Sequence, residues 1–245
     1  MSCSIGIIGG GAAGFFSAVT AKQLLPDARV IIFEKTKKPL TKVEISGGGR
    51  CNVTHHLFDP KKLISFYPRG SRELLGAFHK FQPKDMWNWL NERGVSLKIE
   101  DDGRIFPTTD SSKTIIDCFL KEVAHLNIEL KLQERVERMS RNDNKFILET
   151  EKSGMQSFDY IILATGSSKE GYAFAKELGH NIINPVPSLF GFNADDAYKE
   201  LSGVSVTSAT VSFPKTAYKA EGSILITHFG FSGPAIICLC SEISL

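Results

Sequence analysis

The chain has 245 residues, 42% of them hydrophobic and 23% charged, with a formal net charge of +2 and a pI near 8.2. That supplies core material for one large domain, or one domain and part of another, and too little charge asymmetry to drive nucleic-acid or membrane binding by itself. Five cysteines, odd in number, scattered and without a C-x-x-C pair, fit free thiols in a reducing compartment rather than a disulfide framework.

The first elements are an apolar strand from Ser4, the turn Gly9-Gly-Gly-Ala-Ala-Gly14, an apolar helix, and the strand Val30-Ile-Ile-Phe-Glu34. Gly9, Gly11 and Gly14 have the GxGxxG spacing of a dinucleotide turn. The first glycine permits a tight turn, the second lets backbone approach a pyrophosphate, and the third lets helix and strand pack closely. The helix that opens at Ala12 and Ala13 aims unpaired N–H groups and the positive end of its dipole at the phosphates. Glu34, about 20 residues further on, is placed to accept hydrogen bonds from a ribose 2′-OH and to repel a 2′-phosphate. A bare GxGxxG also fits the glycine-rich turn of any parallel α/β protein. The strand, helix and acid in register favour the nucleotide.

This apolar start is expected to be mature fold rather than a signal peptide, because no basic residue precedes Lys22 and glycines occupy its centre. No run approaches the roughly twenty apolar residues needed to cross a bilayer, so the default expectation is a cytoplasmic enzyme with no membrane partner.

A basic stretch from Lys35 to Lys42 follows, then Ser46-Gly-Gly-Gly-Arg-Cys-Asn52. Gly47, Gly48 and Gly49 permit close backbone approach, while Arg50 and Asn52 add a fixed cation and an amide, which suits an anionic or heteroaromatic ligand better than a linker. Helices are predicted over Ser71 to Phe81 and over Pro83 to Arg93, the latter with Pro near its start and Gly94 past its end. Trp87 and Trp89, two apart, cannot share a helical face, so at most one is core. Val95 to Ile99 and Arg104 to Phe106 form a predicted hairpin around Glu100-Asp-Asp-Gly103.

Ser111 or Ser112 caps a helix reaching about His125. Short strands follow near Ile128 to Leu132, Glu134 to Met139 and Phe146 to Glu149. Asp159-Tyr-Ile-Ile-Leu-Ala-Thr-Gly166 reads as a buried strand covered on both faces by helices, ending in a small-residue turn. Ligands gather at the carboxyl ends of such strands, which brings Ala164, Thr165 and Gly166 to the crevice of Gly9 to Gly14. From Pro185 the texture changes to alternating Val204 to Phe213 and Ser223 to His228, predicting antiparallel strands. The expected architecture is α/β, a Rossmann-like doubly wound parallel sheet over 1–187, with part of an inserted β-rich second domain over 188–245.

Taken together, GGGAAG with Glu34, ISGGGRCNVT from Ile45 to Thr54, GRIFP from Gly103 to Pro107, ATG at Ala164 to Gly166 and THFGFSGP from Thr227 to Pro234 resemble the YhiN/BaiN-like flavoproteins, also called HI0933-like. The motifs occur in the family's order across nearly the whole chain. The resemblance implies FAD as the ligand of the first turn. It implies that Gly9, Gly11 and Gly14 hold the pyrophosphate and Glu34 the adenosine ribose, with Ala12, Ala13 and Lys35 also binding the cofactor. Lys42 and Ser46 to Asn52 would take the flavin side, Val136 would touch the adenine through its backbone, and Ala164 to Gly166 would close over the cofactor.

The implied activity is NAD(P)H-driven reduction of a conjugated carbon–carbon double bond in a small molecule. The alternatives are flavin-dependent reduction of uridine in ribosomal RNA, which the net charge does not indicate, and a non-catalytic FAD-binding remnant. The family also includes an oxidase of a small amino ketone. Two departures stand out. The chain reads Ala164-Thr-Gly-Ser-Ser-Lys-Glu-Gly-Tyr172 where the family has ATGG and a longer stretch, and it stops at Leu245 where the family returns to the FAD domain. The expectation is that the second flavin-holding wall is not encoded here. No residue is singled out as catalytic acid or base, and neither a metal site nor an oligomeric state is indicated.

Several side chains carry two readings. Arg50 would stabilise negative charge near a reduced flavin or bound carbonyl, or form a plain ion pair. Cys51 is a redox thiol or, with no cysteine near it in sequence, a small packed residue. Cys238 and Cys240 are packing residues before they are metal ligands. His55 and His56 are surface or capping groups, His228 stabilises its loop, and Phe15 and Phe16 are helix core. An RNA-directed reductase would group Lys61, Lys62, Arg69 and Arg72 on one face; a solvated basic surface is the plainer account.

Overall fold

The computed structural model describes residues 3–243, so residues 1, 2, 244 and 245 of the expected domains lie outside the described residues. The chain divides into two units, the first running to Ile64 and again from Arg72 to Ile182, the second comprising Ser65–Ser71 and the chain from Ile183 onward.

In order, the chain forms β1 (Ser4–Ile8), α1 (Ala12–Leu24), β2 (Arg29–Glu34), α2 (Thr41–Ile45), β3 (Thr54–His55), α3 (Pro60–Leu63), α4 (Ser71–Lys80) and α5 (Pro83–Asn91). There follow β4 (Leu97–Ile99), β5 (Arg104–Pro107), α6 (Ser112–His125), β6 (Glu129–Leu132), β7 (Val136–Asn142), β8 (Lys145–Thr150), β9 (Gly154–Phe158), β10 (Tyr160–Leu163) and α7 (Lys169–Glu177).

The first unit is built on a four-stranded parallel sheet in the order β6-β2-β1-β10. Its two central strands, β1 and β2, are buried on both faces, which is why their sequences run without alternation. Ile5, Ile7, Val30 and Ile32 point into a core with Phe15, Ala18 and Val19 of α1 and Ile115, Phe119 and Val123 of α6. Ile8, Ile31 and Phe33 point the other way, against Val136, Met139, Leu148 and Phe158. Those partners belong to a three-stranded antiparallel sheet, β7-β8-β9. The expectation of helices on both faces is therefore corrected: helices cover one face, and this meander together with Phe174 of α7 covers the other. The strand after Asp159 is also an edge strand, with Tyr160 61% exposed.

β2 and β6 lie on one side of β1 and β10 on the other, so the direction of winding reverses at β1/β10. The crevice at their carboxyl ends is a topological switch point, where open α/β sheets take ligands. At the opposite end, Asp159 Oδ2 accepts from Ser4 N (2.8 Å) and Ser4 Oγ (2.7 Å), while Lys145 Nζ pairs with Oδ1. Lys145 and the Ser4 donors hold this carboxyl well below the usual carboxylate range.

A second small sheet, β3-β5-β4, includes the predicted hairpin and adds β3 to it. Ser111 is the cap of α6, its hydroxyl accepting from Lys113 N at 3.3 Å. Trp89 is buried and Trp87 only half so, as their spacing requires. Glu134 lies ahead of β7 rather than within it. Its carboxylate is drawn into the turn between β8 and β9, accepting from Lys152 N (3.1 Å) and Ser153 N (2.9 Å).

The second unit contains β11 (Phe192–Asn193), β12 (Ser205–Ser212), β13 (Lys219–Thr227), β14 (Gly230–Ser232) and α8 (Pro234–Ile243). The strands form an antiparallel sheet in the order β11-β14-β13-β12. Ala235, Ile236, Leu239 and Cys240 are the buried residues of α8. Cys238 is exposed, contrary to the packing role expected of it. Arg69 joins this unit by donating to the Ser241 carbonyl at 2.8 Å, an excursion of the chain that no sequence signal announces.

Candidate functional site

At the switch point the chain turns from β1 into α1. Gly9 N donates to Phe33 O (2.9 Å) and Leu40 N to Gly10 O (2.8 Å), so the turn is fastened to β2 and to the segment before α2. Gly9 has φ +113°, and a Cβ there would stand 2.4 Å from Ala164 O. A Cβ on Gly14 would stand 1.9 Å from Gly9 O, so the third glycine packs helix against turn. Gly11 differs from both: its backbone is extended, and nothing lies within 4 Å of where its Cβ would be. It caps α1 with no side-chain hydrogen bond and no acidic residue in the first turn. The first N–H groups of a 13-residue helix are thus left for an outside acceptor.

These residues open onto a cavity of about 700 Å³, within the range of cofactor sites. Of the residues predicted from sequence, Gly9, Gly11, Ala12, Ala13, Glu34, Lys35, Lys42, Ser46, Cys51, Asn52, Val136, Ala164, Thr165 and Gly166 line it. Gly14, Gly47, Gly48, Gly49 and Arg50 do not. Gly14 is buried behind the turn, and the other four arch away from the wall for a backbone reason. Gly47, Gly48 and Gly49 all have positive φ (+56°, +68° and +85°), and Cys51 follows at +61°. This left-handed arc turns Cys51 inward, where it is buried, and Arg50 outward. There the guanidinium lies 4.0 Å over the Phe106 ring and pairs with Glu100 and, at 3.5 Å, with Asp110. The ion-pair reading of Arg50 is the one its geometry supports. Burial pushes the Cys51 thiol up, with the Ser46 hydroxyl offsetting only part of that, the state of a packed cysteine rather than a reactive one.

Glu34 accepts from Gly10 N (2.8 Å) through Oε2 and from Thr36 N and Thr36 Oγ1 (both 2.8 Å) through Oε1. Lys42 Nζ reaches Ser167 Oγ at 3.3 Å and has no ion-pair partner among the described residues. A β-bulge between Val136 and Arg138 interrupts the β7-β8 ladder, which bends the strand where its backbone borders the cavity. Burial raises the Glu134 carboxyl, but the donors from Ser153, Thr150 and Lys152 outweigh it and hold it below its ordinary range.

Sequence reasoning missed part of the lining. Phe16 packs against the core as expected, its ring meeting Phe81 and Trp89 at 5.2 and 5.3 Å, and it also borders the cavity with Met86, Leu90, Ile115 and Phe119. Glu134, Arg135 and Glu170 also reach the wall. The first two adjoin Val136, a signal that was present; Glu170 follows a turn whose sequence carries none. His55 Nε2 lies 3.0 Å from the Asp102 carbonyl, and His56 packs edge-on to Phe58. In the second unit, His228 stands edge-on to Phe229.

The sequence profile of the HI0933-like protein Rossmann domain matches residues 3–230. The chain belongs to that family. It is similar to the ribosomal RNA dihydrouridine synthase of Escherichia coli K12 (29% identity, over 96% of this chain and 60% of that protein). It is also similar to the 3-dehydro-bile acid delta(4,6)-reductase of Clostridium scindens (26%, over 98% and 60%). The chain thus spans about 60% of the length of these HI0933-like relatives. Among solved structures it is similar to the open conformation of a flavocytochrome c3 fumarate reductase, with TM-score 0.52 and 17% identity over 84% of this chain and 47% of that one. That likeness shows the Rossmann-like fold. No helix among the described residues is long and apolar enough to cross a membrane.

Proposed function

We propose that the chain is an FAD-dependent oxidoreductase that uses NAD(P)H to saturate a conjugated carbon–carbon double bond of a small molecule. The observation that carries this reading is the uncapped start of α1 at Gly11, open where a Cβ would stand, in one cavity with Glu34 and Val136. That arrangement fits a dinucleotide: N–H donors for a diphosphate, a carboxylate for a ribose, and bulged backbone for an adenine. Gly9, Gly11, Ala12 and Ala13 would hold the diphosphate, Glu34 and Lys35 the ribose, and Val136 the adenine. Lys42, Ser46, Cys51, Asn52 and Ala164 to Gly166 would hold the remainder.

Bound there, FAD supplies the redox chemistry. The chain's own part is to bind, orient and keep water out. Phe16, Met86 and Phe119 give the cavity an apolar wall; Lys42 brings a fixed positive charge, and Asn52 an amide with both donor and acceptor. A uridine of ribosomal RNA is the second reading of the substrate, favoured by relatives of that name in E. coli and Haemophilus influenzae at 29% and 28% identity.

The test is the visible spectrum of the purified chain with added FAD, then with NAD(P)H under anaerobic conditions. The expected result is bound flavin that NAD(P)H bleaches, and that an enone reoxidises faster than an rRNA fragment does. A colourless protein that cannot be reconstituted defeats the proposal. Bound flavin that NAD(P)H leaves yellow favours a binding protein, or an oxidase fed by its own substrate.

A further inference from the structure

Three charged side chains from three elements meet on the cavity wall. Lys35, just past β2, has Nζ 2.7 Å from Glu170 Oε2, and Arg135, just ahead of β7, has Nη1 3.5 Å from Glu170 Oε1. Glu170 sits in the first turn of α7, where Ser168 Oγ also reaches it at 3.3 Å. All three border the same cavity as Glu34 and Val136. The neighbouring carboxylates are engaged elsewhere, Glu34 with Gly10 and Thr36, and Glu134 with Lys152 and Ser153. Among the described residues, Glu170 is the one ion-pair partner of both cations.

We propose that Glu170 is a specificity-determining residue: by occupying Lys35 and Arg135 it keeps the adenosine end of the cavity closed to dinucleotides that carry a phosphate on the ribose. This rests on the dinucleotide reading above. A ribose phosphate is the ligand two adjacent cations would otherwise recruit, an arginine fork above all. With Glu170 between them, the charges of Lys35, Arg135, Glu170 and Glu34 sum to zero, so an incoming phosphate meets no net positive charge. The Glu170 carboxyl lies below its ordinary range, chiefly through the Lys35 hydrogen bond, so it stays charged at neutral pH.

The test compares ADP with 2′,5′-ADP by calorimetric titration of the parent chain, Glu170→Gln, and Glu170→Gln combined with Lys35→Ala. Circular dichroism confirms that each is folded. Expected is a Kd for 2′,5′-ADP that falls about tenfold in Glu170→Gln while ADP moves less than about threefold, and a gain that Lys35→Ala removes. A 2′,5′-ADP affinity that does not move, or that moves in step with ADP, overturns the role of Glu170 and leaves the dinucleotide reading standing. Binding of neither ligand by any of the three proteins overturns both. Gain of 2′,5′-ADP without ADP binding by the parent upholds the Glu170 gate and defeats the ADP-type site.

Discussion

Gly9 to Gly14 and Ser46 to Asn52 both flank one cavity, yet they need glycine for different reasons. In the first run close neighbours exclude a side chain, added Cβ atoms at Gly9 and Gly14 sitting 2.4 and 1.9 Å from backbone carbonyl oxygens, with the φ of +113° at Gly9 a second reason there. In the second the torsions demand it at Gly48 and Gly49, with φ of +68° and +85° and nothing within 4 Å of an added Cβ, and only Gly47 would also meet backbone, 2.6 Å from Asn52 N. A turn shaped by contact holds itself in place. A turn shaped by torsion must be held by its ends, here Cys51 N on Ser46 O (2.9 Å) and Arg50 on Phe106 and Glu100. Gly11 belongs to neither class. Its φ of −91° suits any residue and its surroundings are open, so the fold does not call for a glycine there, and the proposed diphosphate cradle would.

The largest effect should come from Gly14→Ala. Its methyl has no room beside the Gly9 carbonyl, and backbone must move, which costs about 3 kcal/mol in a well-packed site. Chemical denaturation should show that loss; a midpoint unchanged from the parent would mean α1 is not packed on the turn as described. Gly11→Ala should do the opposite, leaving the denaturation midpoint in place while FAD affinity falls. A misplaced methyl against a ligand costs about 1–3 kcal/mol, or roughly fivefold to 150-fold in Kd. Flavin-fluorescence titration reads it. Equal affinity for the two proteins would remove Gly11 from the diphosphate cradle and break the contrast between the glycines.

How far the sequence discloses this site follows from which forces shape it. The β1-α1-β2 unit is local, and each part leaves a mark: a β-branched run, spaced glycines, an acid at the strand's end. The second run shows its composition but not its direction, because whether Arg50 faces the cavity depends on a left-handed arc and on Glu100 and Phe106, which come from elsewhere in the chain. Of the meander, β7 and β8 are legible as strands and β9 is not, and none is legible as the cover of a face, since burial on both sides looks the same in β1 and β2 whatever buries them. Glu170 is illegible for a similar reason. Its role is set by Lys35 and Arg135, cations 135 and 35 positions away in the chain that only the folded sheet brings together.

A smaller effect tests the second run. Arg50→Ala removes the clamp of a half-exposed ion pair and a ring contact, and leaves the cavity wall intact. FAD affinity should drop by no more than about threefold, in keeping with the modest worth of exposed ion pairs, while protease cleavage within residues 46–52 accelerates. A loss of FAD binding at unchanged cleavage would return Arg50 to the ligand and make the two runs alike.

The last test, which isolates the first run and is read as a difference between two pH curves, concerns Asp159. Its carboxylate latches the start of β1, the strand that delivers Gly9, through Ser4 N and Oγ and Lys145. Because its pKa is depressed in the folded chain, the protonated form is favoured by unfolding. The stability it adds is full above roughly pH 5, and drains as pH falls below the ordinary aspartate value near 4 toward the lower folded one. Asp159→Asn removes that titration. The parent's thermal midpoint should therefore fall more steeply than the variant's between about pH 5 and pH 3, the two curves converging at the acid end. Parallel curves would mean that the latch is not what holds β1 to its neighbour, and that Ser4 is anchored by the parallel ladder alone.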